Sequence, residues 1–162
     1  MTTPEKKPYA QNSKELLENW LRRLRESQFA HYEAAKSLSR SNYTLGIPAV
    51  ILSTFVGTSI FASLGETLTP SIQILVGIIS VLAATLSAVQ TFLGFSERAA
   101  KHREVASRYG SARRRIEEML AVSGESVTPQ EISTLRREID SIAAEAPNVS
   151  DGIWTRTEKK LG

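Results

Sequence analysis

Between Ser41 and Ser96 a single charged residue, Glu66, stands in 56 consecutive positions. Ser41 to Gly65 is 25 residues without a charge, and Thr67 to Ser96 is 30 more. A helix needs about 20 mostly apolar residues to cross a bilayer, and both segments exceed that. The second is the richer, with Ile72, Ile74, Leu75, Val76, Ile78, Ile79, Val81, Leu82, Leu86, Val89, Phe92 and Leu93. The first carries Ile47, Val50, Ile51, Leu52, Phe55, Val56, Ile60, Phe61 and Leu64, diluted by Ser53, Thr54, Thr58 and Ser59. Hydroxyls suit such a helix because they can bond back to their own backbone carbonyls. Two buried helices of a soluble bundle are the competing reading, but those usually show charge on some face. A cleaved signal peptide does not fit, since about 40 largely polar residues precede the first apolar run.

The expected fold is an all-α membrane protein: a two-span transmembrane helical hairpin with long cytoplasmic extensions and a short third cytoplasmic helix. Basic residues near membrane ends set orientation. Arg22, Arg23, Arg25, Lys36 and Arg40 precede the first span. Arg98, Lys101, Arg103, Arg108, Arg113, Arg114 and Arg115 follow the second, and the turn has none. Both termini are therefore expected in the cytoplasm, with a tight outward turn over 65–71 and Pro70 in the first turn of the second helix.

The remaining boundaries follow from caps and periodicity. Residues 1–12 read as a disordered N-terminus, and Asn12 to Glu15 as a capping box opening a helix over 13–40. Leu17, Trp20, Leu24, Ser27, His31, Ala34 and Leu38 recur at spacings of three and four, a coiled-coil-like stripe. The spans are placed at 41–64 and 72–96. The second is expected to continue directly into a helix over 97–122, whose inward stripe is Ala99, His102, Ala106, Tyr109, Arg113, Ile116 and Leu120. Gly124 is a natural stop. Thr128, Pro129 and Glu131 open a helix over 128–146 with Ile132, Leu135, Ile139, Ile142 and Ala146 inward. Pro147 ends it, and 147–162, with Trp154, reads as a tail.

No cysteine and two histidines exclude disulfides and thiolate zinc sites and leave little for a metal. There is no phosphate loop, nucleophile elbow or paired-histidine motif, so no catalytic residue, cofactor or enzyme activity is expected. The net charge of +3, from 20 basic and 17 acidic residues, does not call for nucleic acid.

Three features could carry function. The first is a small and polar stripe on the second span: Gln73, Gly77, Ser80, Ala84, Ser87, Thr91 and Gly94, joined by Gln90. It suits either close helix packing or a water path between copies. Ala49, Ser53 and Gly57 form a shorter packing stripe on the first span. The second is His31 and His102. Counted from a turn near 67, they stand level on the two inward stripes, as a buried polar pair or a protonation-sensitive contact that would loosen at mildly acidic pH. The third, Arg113 to Arg115, reads as solvated positive-inside surface rather than an anionic-lipid or nucleotide site.

The two-span pattern, the Trp20 to His31 leg and the stretch Phe95-Ser96-Glu97-Arg98-Ala99-Ala100-Lys101-His102, continuing through Ala106, Tyr109 and Ile116, resemble the SLATT-domain family over about residues 15–145. These are two-span effectors associated with SMODS nucleotide synthases and SLOG nucleotide sensors in bacteria. The resemblance implies an inner-membrane, pore-forming or membrane-disrupting effector of antiviral, nucleotide-triggered defence, with a nucleotide synthase or sensor as partner. Beside it, the residues themselves argue for the lipid bilayer as one partner. A homo-oligomer of four or more copies is the other expectation, because two helices cannot enclose a water path. A membrane-anchored scaffold that binds a cytoplasmic partner without conducting is the alternative.

Overall fold

The computed structural model describes residues 12–62, 69–122 and 127–161. It contains five helices, α1 (Ser13–Ala62), α2 (Pro70–Leu93), α3 (Phe95–Val122), α4 (Pro129–Glu145) and α5 (Asp151–Leu161), and no strand among the described residues. The chain before residue 12, most of the expected turn and the Gly124 stop lie outside the described residues.

α1 opens on Asn12, whose side-chain oxygen accepts the Glu15 N–H at 2.8 Å while its carbonyl accepts the Leu16 N–H. These bonds satisfy backbone donors that have no partner inside the helix. The helix then runs 50 residues, through an internal Pro48. α4 opens on the reciprocal capping box: Thr128 Oγ1 accepts the Glu131 N–H, and the Glu131 carboxylate accepts the Thr128 N–H at 2.8 Å. That geometry draws the Glu131 carboxyl below its usual range, through the backbone and side-chain bonds from Thr128.

The helices divide into two compact units, Lys36–Ala100 and the paired stretches Met1–Ala35 with Lys101–Gly162. In the central unit the buried described residues are Ala49, Ala83 and Ala99. The less exposed positions recur at three and four, as in Leu45, Ala49, Leu52 and Val56 on α1 and Val76, Ile79, Ala83, Leu86 and Gln90 on α2. That is a narrow coiled-coil seam. Most of the large apolar side chains outside the seam are exposed, including Val50 at 66%, Phe55 at 63%, Ile74 at 64% and Phe92 at 88%. In each helix only 6% of the most apolar 18-residue window is buried. Three alanines cannot form the core of a soluble bundle. Each exposed Val, Ile or Phe forgoes roughly 1.5–3 kcal/mol in water, so this surface belongs against hydrocarbon.

The hydroxyls of this unit turn inward on their own helices. Thr54, Thr58 and Ser59 donate to the carbonyls of Val50, Thr54 and Phe55, and Ser80 and Thr85 to those of Val76 and Val81, all at 2.8 or 2.9 Å. Their polar atoms are thus paired where no water is available.

α2 does not continue directly into α3. Gly94 stands between them in the left-handed region, with φ +55°, donating its N–H to the Thr91 carbonyl and accepting the Arg98 N–H. A side chain there would meet no neighbour but would carry the left-handed penalty of about 1–2 kcal/mol. The uninterrupted helix expected from 72 to 122 was a reading of periodicity, which one glycine can break without disturbing the apolar count on either side.

The terminal unit has an ordinary core. Leu17 and Leu24 of α1, Val105, Tyr109, Ala112 and Ile116 of α3, and Leu135 and Ile142 of α4 form one cluster, bordered by Trp20, Met119 and Ile139. A second cluster joins Ala30 and Ala34 of α1 to Val149, Ile153 and Trp154. The stretch read as a tail therefore holds a helix, α5. Its short apolar set is Val149, Ile153 and the methyl-bearing Thr157, which is buried with its hydroxyl on the Ile153 carbonyl. Lys160 pairs with Glu33 on α1.

Ile116→Ala should lower the unfolding free energy of this unit by about 2–5 kcal/mol, because a fully buried side chain leaves a cavity. Chemical denaturation of the protein in detergent, followed by the two tryptophans, reads that loss; an unchanged midpoint would contradict this core assignment.

Candidate functional site

The polar-small stripe of α2 lies largely off the seam. Gln73, Gly77, Ala84, Ser87 and Thr91 are exposed, while Ser80 and Gly94 are half-buried. The seam itself uses the neighbouring positions Val76, Ile79, Ala83, Leu86 and Gln90. Packing between α1 and α2 thus leaves most of the stripe uncovered. Gly77 has open space where a Cβ would stand.

The first-span packing set is only partly engaged. Ala49 is buried at 3%, Ser53 is exposed, and Gly57 has nothing within 4 Å of a built Cβ. The close approach occurs instead at Gly46, where a Cβ would lie 2.8 Å from the Gln90 side-chain nitrogen. That nitrogen donates to the Asn42 side-chain oxygen at 2.9 Å. Gly46 therefore makes room for a carboxamide pair that joins the two helices. The contact was not read from the sequence, because a lone glycine beside an asparagine in an apolar run carries no periodic signal. Gln90 stands near the C-terminal end of α2, and Asn42 lies within α1, at the start of its uncharged stretch.

In the terminal unit His31 and His102 are each 4% exposed, and their Nδ1 atoms lie 2.9 Å apart. Only one proton fits between two nitrogens at that separation. One ring carries Nδ1–H and donates it, and the other accepts through its Nδ1 lone pair. The Tyr109 ring lies 5.7 Å from His31, centroid to centroid. Burial, and then the neighbouring His102, lower the His31 pKa from 6.5 to about 4. The structure thus brings the two histidines of the inward stripes together as a buried polar pair, and a charge on His31 calls for a pH below the ordinary histidine range. Desolvation penalises the imidazolium before repulsion does.

The three consecutive arginines do not converge. Arg113 faces Glu117 at 3.3 Å, Arg114 donates to the Ser111 hydroxyl, and Arg115 donates to Glu138 at 2.9 Å. Arg108, next along α3, bridges to Glu145, which holds that carboxyl below its usual range. The Arg108–Glu145 and Arg115–Glu138 pairs knit α3 to α4 at an exposed surface. No group of three or more metal-ligating side chains occurs among the described residues.

The folded chain is thus all-helical, with two helices long and apolar enough to cross a membrane and a separately packed helical unit at the two ends. Those features define a membrane protein of the two-span kind. Residues 14–161 match the SMODS and SLOG-associating 2TM effector domain family 4, and the chain belongs to this SLATT family. No curated protein and no solved structure matches it.

The histidine pair yields a signed pH dependence. Because His31 binds its proton more weakly folded than unfolded, stability is full above about pH 6.5. It is lost as pH falls from there toward about 4, by roughly 3 kcal/mol in all. Glu131 and Glu145, with depressed pKa values, lose their contribution only below about 4.5, which separates the two effects. Thermal unfolding should therefore fall more steeply between pH 6.5 and 4.5 for the natural chain than for His31→Gln; equal slopes would contradict the assignment.

Proposed function

We propose that this chain is an oligomeric effector of the bacterial inner membrane that permeabilises it, within a nucleotide-triggered anti-phage system. Its α1 and α2 cross the bilayer as a hairpin, with both termini cytoplasmic. The observation that carries the reading is the uncovered polar-small stripe, Gln73, Gly77, Ala84, Ser87 and Thr91, on a helix otherwise suited to lipid. A polar surface facing hydrocarbon is costly, so it calls for other copies or for water. One hairpin cannot enclose a path, whereas four or more could set this stripe around a common axis. Membership of a two-span effector family supports the same reading. A nucleotide synthase or sensor fits the family description as the source of the trigger.

The rival is a membrane-anchored scaffold. One observation favours it: the Ser80 hydroxyl, in the middle of the stripe, is spent on the Val76 carbonyl rather than presented outward. Under that reading the small residues serve helix packing alone.

Orientation has a direct test, because the chain lacks cysteine. The basic residues flanking the outer ends of the two segments place the connection outside and α4 inside. On intact spheroplasts an impermeant maleimide should label Thr69→Cys and spare Ser133→Cys. The opposite pattern would invert the topology.

Conductance separates the two functions. Protein reconstituted in liposomes should release a trapped ion. Ser87→Leu, which fills the exposed stripe, should abolish release while insertion and particle mass stay unchanged; Leu82→Ile, elsewhere on α2, should leave release intact. If Ser87→Leu instead splits the particle, the stripe is packing. If the natural protein never leaks while fully inserted, the scaffold reading stands.

A further inference from the structure

Within the terminal unit, α1 and α4 face each other across a pocket of about 270 Å³, lined by Trp20, Arg23 and Leu24 from one helix and Arg136, Ile139 and Asp140 from the other. On each helix the three residues are spaced three and four apart, so each set is one helical face, and the two faces oppose each other. Trp20 and Ile139 pack against the buried cluster that holds Leu17, Leu24 and Leu135. The apolar floor is therefore an extension of the core and is fixed by the same packing. A preformed apolar floor with a few polar groups at its rim is the form that small-molecule sites take, and this volume lies at the small end of their range.

The rim differs from the other charged surface of α4. On the side facing α3 the charges are spent within the chain, Arg108 on Glu145 and Arg115 on Glu138. Arg137 turns back onto its own helix, donating to the Ser133 carbonyl and the Thr134 hydroxyl. Around the pocket nothing is spent. The Trp20 indole N–H, the Arg23 and Arg136 guanidiniums and the Asp140 carboxylate make no hydrogen bond or ion pair among the described residues. Arg23, Arg136 and Asp140 are exposed, and Trp20 is half-buried. Charges of both signs thus stand around one apolar floor without meeting, although Arg136 and Asp140 have the four-residue spacing that allows a pair.

These side chains define what the pocket can take. Indole, leucine and isoleucine suit a flat apolar body, and an indole face stacks on an aromatic base. Two guanidiniums on opposite walls suit an anion with several acceptor oxygens, which a phosphate offers to both. An ionised Asp140 only accepts, so the same molecule must also bring N–H or O–H donors, or the carboxylate repels it. Inorganic phosphate lacks the flat body, and a simple aromatic carboxylate lacks the donors. A nucleoside phosphate has all three in one molecule.

We propose that this pocket binds a nucleoside phosphate, with the base against Trp20 and Ile139, the phosphate between Arg23 and Arg136, and Asp140 accepting from a base amino group or a sugar hydroxyl. The bound molecule bridges α1 and α4, and so stabilises the packed terminal unit by mass action. Such binding needs neither a second copy nor a conducting state, so it stands or falls separately from permeabilisation.

The test is a titration of the full chain in mild detergent, carrying Trp154→Phe so that Trp20 is the single tryptophan. The probes are the 5′-monophosphates of adenosine, guanosine, cytidine and uridine, with inorganic phosphate and the matching nucleosides beside them. At least one monophosphate should quench Trp20 saturably and raise the unfolding temperature, and its nucleoside should bind at least tenfold more weakly. Arg23→Gln with Arg136→Gln should weaken the monophosphate at least tenfold while leaving the unliganded unfolding temperature in place. Asp140→Ala should weaken it too; tighter binding would mean that the carboxylate only repels the anion, and would overturn its assignment as an acceptor. No saturable quenching by any of the four up to about 10 mM would overturn the proposal. Equal affinity for inorganic phosphate and for every monophosphate would also overturn it, since that is a bare anion site without stacking. Undiminished binding to the double arginine variant would place the ligand elsewhere.

Discussion

Among its described residues the central unit of this protein buries three alanines and leaves most of its isoleucines, valines and phenylalanines facing outward, and the other properties of the molecule follow from that mismatch. In water such a surface would drive collapse or aggregation. In hydrocarbon it costs nothing, but the same environment forbids unpaired polar groups. The hydroxyls answer that demand within one helical turn, on carbonyls four residues back. The two side-chain amides answer it between helices, Gln90 with Asn42, in the space that Gly46 leaves. Attraction between helices in lipid then comes from close packing and such bonds, not from burial of apolar area.

The terminal unit is stabilised by different physics. Its leucines and isoleucines leave water on folding, and each buried one contributes roughly 1.5–3 kcal/mol. Its exposed ion pairs contribute little individually, since surface pairs are worth about 0–1 kcal/mol. The one polar element within it, the imidazole pair, is tolerated because each ring satisfies the other. Removing one ring would leave an orphaned nitrogen, which costs more than the bond itself gains. The pair therefore works as a register contact between α1 and α3 at neutral pH, where burial keeps His31 uncharged.

How much of this could be read from residues alone depended on whether the signal was local and periodic. The capping box at Thr128, the Asn12 side chain that takes the Glu15 N–H, and the position of Pro70 at the start of α2 are spelled out within four residues, and the structure has them. Stripes such as Ile132, Leu135, Ile139 and Ile142 show through their spacing and lie inward. α5 was missed because eleven residues with two buried positions, one of them a threonine, are too short to show a period. The break at Gly94 was missed because a glycine within an apolar run reads equally as a small packing residue or as a left-handed joint.

The sequence by itself pointed to the class of molecule, because charge is absent over two stretches of bilayer length; that these helices are bare rather than buried in a soluble core came from the structure. It also determined which residues turn inward on each leg, since a helix repeats every 3.6 residues wherever it stands. Only the tertiary structure decided which face of α2 meets α1 and which remains open, that Gly46 rather than Gly57 takes the close approach, and that two histidines 71 positions apart share one proton. Those outcomes depend on how one helix is rotated against another, to within a fraction of a turn. Rotation is set by the summed fit of many side chains, and no single stretch of sequence carries that sum.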